Sequence, residues 1–104
     1  MKSIEMLQLP DGKVPFREWV NDLSPKTKAK ILDYINRLSK GGSKKNTKSL
    51  GDKLFELKID HGPGYRVYFG EKTNVIILIV SGGDKSTQKS DIKKAKKYWR
   101  DYAL

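Results

Sequence analysis

The sequence predicts an α+β domain in which an N-terminal strand and a helical hairpin precede a three-stranded antiparallel meander and a C-terminal helix. Two patterns support this prediction. Apolar residues recur at helical spacing within residues 16–38 and 92–102, and they alternate with polar residues through residues 54–69. The chain has 104 residues, which is the size of one domain. We therefore predict a single domain over residues 1–104.

The first half of the chain is predicted to form a strand followed by two helices. Residues 4–9 alternate polar and apolar side chains, and a Pro-Asp-Gly turn follows them. Pro15 can occupy the first position of a short helix. Ser24 precedes another proline and has the N-cap chemistry of a longer second helix, which Gly41 and Gly42 end.

The second half is predicted to form a loop, three strands and a closing helix. Residues 43–53 are polar and rich in lysine, which is typical of a loop. Residues 54–59 and 65–69 alternate and form a hairpin around a five-residue turn. Residues 75–80 are continuously apolar, as expected of a strand that is covered on both faces. The closing helix follows over residues 87–102.

The charge of the chain points to a polyanionic partner. The formal net charge is +10, and residues 26–53 and 84–104 carry the excess with net charges of +7 and +4. A concentrated basic patch raises the local concentration of phosphate groups and speeds association with nucleic acid, which favours RNA as the ligand. A solvated lysine-rich surface or an acidic protein partner would explain the same composition.

Several classes of protein are excluded or disfavoured. The chain has no cysteine, which excludes disulfides, thiolate zinc sites and a cysteine nucleophile. A single histidine and dispersed carboxylates argue against a metal site, and we expect no cofactor. The longest apolar run, residues 75–80, is too short to cross a membrane, and the N-terminus lacks the apolar stretch of a signal peptide. We therefore expect a cytoplasmic protein without a membrane partner.

The hairpin register predicts where charged side chains meet. If residues 60–64 form the turn, the apolar pairs all lie on one face, and Lys58 lies opposite Arg66 on the other face. Glu56 then lies opposite Tyr68. Two cations directly opposite each other repel, so they suggest a bound anion. The hypothesis is a phosphate clamp, and the alternative is an ion pair between Arg66 and its diagonal neighbour Glu56.

Two further residues are candidates for a site. Lys85 follows a Gly-Gly-Asp sequence at the end of the central strand, where glycines permit close approach and a helix start favours anions. An ordinary loop with a surface lysine is the alternative. His61, the only histidine, lies in the hairpin turn and has the chemistry of an acid–base group, although a lone loop histidine is more often incidental.

These residues resemble a known family. The stretches LFELKI (54–59), GYRVYF (64–69) and IVSGGDK (79–85) resemble the RelE/ParE toxin superfamily. The run GGDKSTQ (82–88), followed by Asp91-Ile92 and Ala95, is similar to its HigB-like addiction-module killer branch. The resemblance covers nearly the whole chain and implies a RelE-like fold.

The resemblance implies a toxin of a type II toxin–antitoxin module that cuts mRNA on the ribosome without a metal ion. In this reaction the ribose 2′-hydroxyl attacks the adjacent phosphate and leaves a cyclic phosphate and a free 5′-hydroxyl. The chemistry requires cations on the phosphorane, a proton acceptor and a proton donor. The implied partners are mRNA, the ribosome and a tightly bound antitoxin of the helix-turn-helix type.

The resemblance also assigns roles to residues. Lys58 and Arg66 match basic strand positions that stabilise transition-state charge, and Lys85 lies near a third basic position. Two departures stand out, because Glu56 occupies the first basic position and no tyrosine follows Lys85 at the start of the closing helix. The acid and the base therefore stay open among Glu56, His61, Lys58 and Tyr68.

Five lysines of the two basic segments are the expected RNA contacts, and they are Lys44, Lys45, Lys48, Lys53 and Lys89. Two other functions are compatible with the sequence. One is a ParE-like DNA gyrase poison that is not a nuclease, and the other is a basic RNA- or ribosome-binding module without chemistry. The closing helix can contact an antitoxin or ribosomal RNA, or simply pack on the sheet.

Overall fold

The computed structural model describes residues 2–41, 46–82 and 85–103 of the chain. Within these ranges three α-helices and five strands follow one another along the chain. They are β1 (Ser3–Met6), α1 (Pro15–Asn21), α2 (Pro25–Ser39), β2 (Thr47–Gly51), β3 (Leu54–Ile59), β4 (Tyr65–Lys72), β5 (Val75–Gly82) and α3 (Gln88–Tyr98). A short 3₁₀ turn, Lys85–Thr87, precedes α3, and a π-helical turn, Trp99–Ala103, follows it.

The strands form one mixed sheet with the order β1-β5-β4-β3-β2. Strands β3, β4 and β5 make an antiparallel meander, and β1 pairs in parallel with β5 at one edge. Strand β2 pairs antiparallel with β3 at the other edge. The two edge strands come from distant parts of the chain, so the sheet ties the N-terminus to the meander.

Strand β2 corrects one prediction. The loop predicted over residues 43–53 is wrong for Thr47–Gly51, which pair with β3. The strand is short, polar and mostly exposed, so it lacks the alternation by which strands are recognised. A tight turn then leads into β3, with positive φ at Gly51, Asp52 and Lys53. The remainder of the predicted loop, residues 43–45, lies outside the described part of the chain.

Local signals place the helix starts where the sequence predicts them. Helix α1 begins with Pro15, and α2 begins with Pro25 after the N-cap Ser24. The Ser24 hydroxyl accepts a hydrogen bond from the Thr27 amide at 3.3 Å, which satisfies one of the free amides of the first turn. Gly41 follows the end of α2 with a φ of +77°, a conformation that glycine adopts without strain.

Each face of the sheet carries its own core. Helices α1 and α2 cover one face, where the buried residues are Phe16, Val20, Ile31, Ile35, Leu38, Leu57, Ile59, Val67, Phe69, Ile76 and Leu78. Helix α3 covers the other face, where they are Leu7, Leu54, Tyr68, Ile79, Val80, Ala95 and Trp99. Strand β5 contributes to both cores, which confirms that its continuous apolar run reflects burial on both faces.

Helix α3 is fixed to the sheet at its C-terminal end by Trp99. The indole ring lies against Gly70 of β4, and its Nε1 donates a hydrogen bond to the Asp52 carbonyl at 2.8 Å. A β carbon at Gly70 would lie 2.2 Å from the ring, so only glycine leaves room for the indole. None of the helices within the described residues is long and apolar enough to cross a membrane.

Replacing Gly70 with alanine tests this contact. We expect Gly70→Ala to lower the free energy of unfolding by about 1–3 kcal/mol, because the added methyl group overpacks the indole. Urea denaturation of Gly70→Ala in the wild-type and Trp99→Leu backgrounds measures the coupling. Gly70→Ala should lower the free energy of unfolding clearly less in the Trp99→Leu background, where the indole is absent. An equal cost in both backgrounds would show that the two residues do not share a packing contact.

Candidate functional site

The sheet register brings polar side chains together on the face that α3 covers. Lys58 lies opposite Arg66, and Glu56 lies opposite Tyr68, which confirms the predicted register. On its other side Glu56 lies opposite Lys48 of β2. Residues directly opposite each other share a face of the sheet, so the carboxylate of Glu56 lies at the centre of this polar group.

Glu56 and Arg66 form a buried ion pair. The side chains are each 8% exposed, and Arg66 Nε lies 3.8 Å from Glu56 Oε1. Arg66 Nη1 also donates a hydrogen bond to the Gly64 carbonyl at 3.2 Å. The ion pair, one of the two interpretations drawn from the register, is present, and the phosphate clamp stays a prediction.

Gln88 connects α3 to the site. It is the first residue of α3, and its amide Nε2 donates a hydrogen bond to Glu56 Oε2 at 2.9 Å. The carboxylate of Glu56 therefore has a partner on each oxygen, with Arg66 near Oε1 and Gln88 on Oε2. The role of Gln88 escapes the sequence analysis, although a polar residue at a sheet-facing position of α3, one turn before Ile92, is a signal that could have indicated it.

Tyr68 is fully buried within the same group. Its hydroxyl has no hydrogen-bond partner in the described part of the protein, and neither does Arg66 Nε. Burial raises the pKa of the Tyr68 phenol well above its usual value, and the negative charges of Glu56 and Asp91 raise it further, against an opposing effect of Arg66. The phenol is therefore protonated at neutral pH. It can donate a hydrogen bond, but it cannot act as a general base that takes a proton from a substrate.

Asp91 of α3 explains the glycine at the end of β5. The Thr87 hydroxyl donates a hydrogen bond to Asp91 Oδ2 at 2.8 Å, and a β carbon at Gly82 would lie 2.2 Å from the same oxygen. The expected close approach to this glycine thus occurs, and the group that approaches is a carboxylate of the protein itself. The side chain of Lys85 lies outside what the structure describes, so the proposed third cation stays a prediction.

The structure does not bring His61 to Glu56. His61 Nε2 lies 3.3 Å from the Thr27 hydroxyl of α2, and α2 packs on the opposite face of the sheet. The hairpin turn therefore directs this imidazole toward the first core, away from the polar group around Glu56.

The predicted RNA-binding lysines are distributed around the site. Lys48, Lys53 and Lys89 are exposed, as is Lys58. Lys48 and Lys58 flank Glu56, since one lies across the ladder from it and the other lies two positions along the same strand. Lys44 and Lys45 lie outside the described residues. Among the residues that are described, no group of three or more acidic or histidine side chains is placed to hold a metal ion.

Comparison with known proteins shows similarity to a phage-derived family. The model of the family described as phage derived protein Gp49-like matches residues 18–100. The chain is also 46% identical over 82 residues to an uncharacterized protein of Haemophilus influenzae. That match covers 78% of this chain and 82% of the relative.

This finding corrects the family resemblance drawn from residues 54–95. The match is to the Gp49-like family, which is a different family from RelE/ParE, and the assignment to RelE/ParE and its HigB-like branch is wrong. The physical reason is that the stretches which carry the resemblance are two alternating strands and a glycine turn. Such strands arise wherever a hairpin is half buried, so they identify a local structure better than a family.

The buried ion pair predicts an asymmetric response to mutation. We expect Glu56→Ala to lower the free energy of unfolding by about 3–5 kcal/mol, because it leaves the Arg66 guanidinium buried without its carboxylate. The double variant Glu56→Leu/Arg66→Met should cost less than Glu56→Ala alone, since it removes both charges. Urea denaturation of the three proteins measures these differences. A double variant that is less stable than the single variant would contradict the ion-pair interpretation.

Tyr68 predicts a loss of stability at high pH. Its pKa in the folded protein is raised above the usual value of 10.0, so the stability that it contributes is present below that value and is lost as pH rises above it. Urea denaturation of wild type and Tyr68→Phe at several pH values isolates this effect. Relative to Tyr68→Phe, wild type should lose up to about 1.4 kcal/mol per pH unit above the usual tyrosine pKa. Parallel curves for the two proteins at high pH would contradict the prediction.

Proposed function

The chain belongs to the phage-derived Gp49-like family, and we propose that it is the toxin of a toxin–antitoxin module that inhibits translation by cleaving mRNA. Gp49-like proteins are often the toxins of such modules. The family match includes all three strands of the meander and the whole of α3, which are the elements that form the polar site. The toxin role therefore has family support, and the cleavage reaction is argued from the site.

The observation that carries the proposed reaction is the buried group formed by Glu56, Arg66 and Tyr68. Burying an ion pair removes two charges from water, and the unpaired Tyr68 hydroxyl and Arg66 Nε add a further cost. Replacing a buried ion pair with apolar residues of similar volume is often neutral or stabilising, so the pair is weak evidence for a purely structural role. Buried charges of this kind, with a strongly shifted pKa beside them, occur preferentially at functional sites.

The residues of this group match the needs of RNA cleavage by the neighbouring 2′-hydroxyl. In the proposed reaction Glu56 accepts the 2′ proton as the 2′ oxygen bonds to phosphorus. The phosphorus–O5′ bond then breaks, and the exposed ammonium of Lys58 protonates the leaving oxygen. Arg66 and Lys58 stabilise the added negative charge on the phosphorane. The products are a 2′,3′-cyclic phosphate and a 5′-hydroxyl, and no metal ion takes part in these steps.

Access to Glu56 requires that Gln88 move. The Gln88 amide occupies Glu56 Oε2, and the carboxylate side chain is only 8% exposed. RNA bound between Lys48 and Lys58 would have to displace this amide to reach the carboxylate. Tyr68 does not contact the substrate in this scheme. It lies directly opposite Glu56 in the β3–β4 ladder.

A second function is favoured by the burial itself. If Gln88 stays in place, Glu56 and Arg66 do no chemistry, and the exposed lysines leave a basic RNA- or ribosome-binding module that blocks translation by occupancy. Such a protein would arrest growth and leave mRNA intact.

Under either function we propose a cognate antitoxin that neutralises the basic surface, and a cytoplasmic location.

Primer extension on cellular mRNAs shortly after induction tests the proposed reaction. Wild-type protein should produce new 5′ ends within translated codons. Lys58→Ala should reduce these ends by about 100-fold or more, because it removes both a phosphorane cation and the proton donor. Lys58 is exposed, so its replacement should leave the fold intact, whereas Arg66 is buried and its loss would confuse catalysis with unfolding.

Lys13→Ala is the matched control, since Lys13 is an exposed lysine in the loop before α1, remote in sequence from the meander and α3. It should cut mRNA as wild type does. Growth arrest with intact mRNA in the wild type would overturn the nuclease and favour the binding module. Growth without arrest would overturn the toxin role altogether.

A further inference from the structure

The outer face of α3 is the most concentrated positive surface among the described residues. Six cations lie on this helix and the turn after it, and all of them are exposed. They are Lys89, Lys93, Lys94, Lys96, Lys97 and Arg100. These six residues are called the α3 basic face below.

Acidic side chains are scarce beside this face among the described residues. The one acidic residue of α3, Asp91, points inward, where it receives the Thr87 hydroxyl and lies against Gly82. In the part of the chain that is described, Lys89, Lys93, Lys96 and Lys97 form no ion pair, and only Arg100 has an acidic neighbour, Asp101 at 3.0 Å. A surface that serves solubility alone normally intersperses both signs.

The spacing of the cations adds to this contrast. Lys89, Lys93, Lys96 and Arg100 follow one another at intervals of four, three and four residues, so they form one row along the helix. Lys94 and Lys97 lie beside that row. Like charges at these spacings repel and destabilise a helix. An external polyanion is the partner that would relieve the repulsion.

The chemistry of the face selects the kind of polyanion. Five of the six cations are lysines, which act as point charges toward phosphate and do not form the planar forks that read base edges. From Lys89 to Arg100 the row extends about 16 Å, at about 1.5 Å per residue. A straight, rigid row of this length fits the regular backbone of a helical duplex, and double-stranded RNA is recognised mainly by shape, phosphates and 2′-hydroxyls.

We infer that the α3 basic face is a docking surface for double-stranded RNA, such as a helical segment of a folded RNA. The inference deepens the proposed function and rests on it for the choice of RNA. Gln88 immediately precedes Lys89 and contacts Glu56, so a duplex on this face would lie next to the site proposed for cleavage. The protein would then have two RNA surfaces, one for docking and one for chemistry.

Fluorescence anisotropy with a blunt RNA duplex of about 16 base pairs tests the docking surface, because a duplex of that length presents two successive minor grooves. The variants are Lys89→Gln/Lys93→Gln/Lys96→Gln and, as the matched control, Lys26→Gln/Lys30→Gln/Lys40→Gln at exposed positions of α2 and its C-cap. Both lose three charges. We expect the α3 variant to lose about tenfold or more in affinity, and its salt dependence to fall by a slope of about two to three.

The control variant should change affinity by a much smaller factor, and a DNA duplex of the same sequence should bind wild type more weakly than RNA does. Equal losses in the two triple variants would show that net charge, not this face, binds RNA and would overturn the inference. Equal affinity for the DNA duplex would overturn the assignment to RNA.

Lys58→Ala separates this inference from the proposed nuclease. Its mRNA cleavage should be lost, whereas its affinity for the RNA duplex should fall by no more than one phosphate contact accounts for, which is far less than the loss in the α3 variant. If wild type binds the RNA duplex through the α3 basic face but cuts no mRNA, the nuclease proposal is overturned and the docking surface is supported. If wild type cuts mRNA but the two triple variants lose equal duplex affinity, the nuclease is supported and the docking surface is overturned.

Discussion

The contact between Trp99 and Gly70 determines what the second face of the sheet becomes. The indole rests directly on the backbone of β4, where any β carbon would collide with it, and its N–H is bonded to the Asp52 carbonyl. Through this contact α3 is held close to the meander. On the face that α3 covers, Glu56 and Arg66 form a buried ion pair, and Gln88 at the start of α3 contacts Glu56.

Polar contacts connect the enclosed group to the first turns of α3. Gln88 bonds to Glu56, and Asp91 is held by Thr87 over Gly82. Each of these contacts exchanges a water hydrogen bond for a protein one, so its net contribution is small, whereas the removal of one buried partner is costly. We therefore expect the site to be sensitive to single substitutions and tolerant of paired ones.

Much of this arrangement follows from the sequence, and the part that does not has a physical cause. Alternation in residues 54–69 fixes the register, because a shift by one residue would expose Leu57 and Val67. Ser24 and Pro25 mark the start of α2 for a local reason. Burial of the Glu56–Arg66 pair is different, because the alternation of the strands does not show which elements pack over that face of the sheet.

The sequence patterns also failed to predict strand β2 and the family. An edge strand that is exposed on both faces has no apolar alternation to reveal it, and pairing with β3 supplies its only support. The family resemblance failed for a related reason. It rested on half-buried strands and a glycine turn, which many hairpins share, whereas the match over residues 18–100 draws on the helices as well.

The two ends of α3 are held by different forces, and this difference bears on how the site can work. Ala95 and Trp99 anchor the C-terminal end by apolar burial, which is insensitive to the arrival of a polyanion. At the N-terminal end the closest constraint is the hydrogen bond from Gln88 to Glu56, which water or a ribose hydroxyl can replace at little net cost. Motion that uncovers Glu56 is therefore easiest at the first turn of α3, where Lys89 begins the α3 basic face. An RNA bound there, as proposed, would act on the end of the helix that carries Gln88, so the proposed docking on the outside and the proposed access on the inside would depend on the same turn.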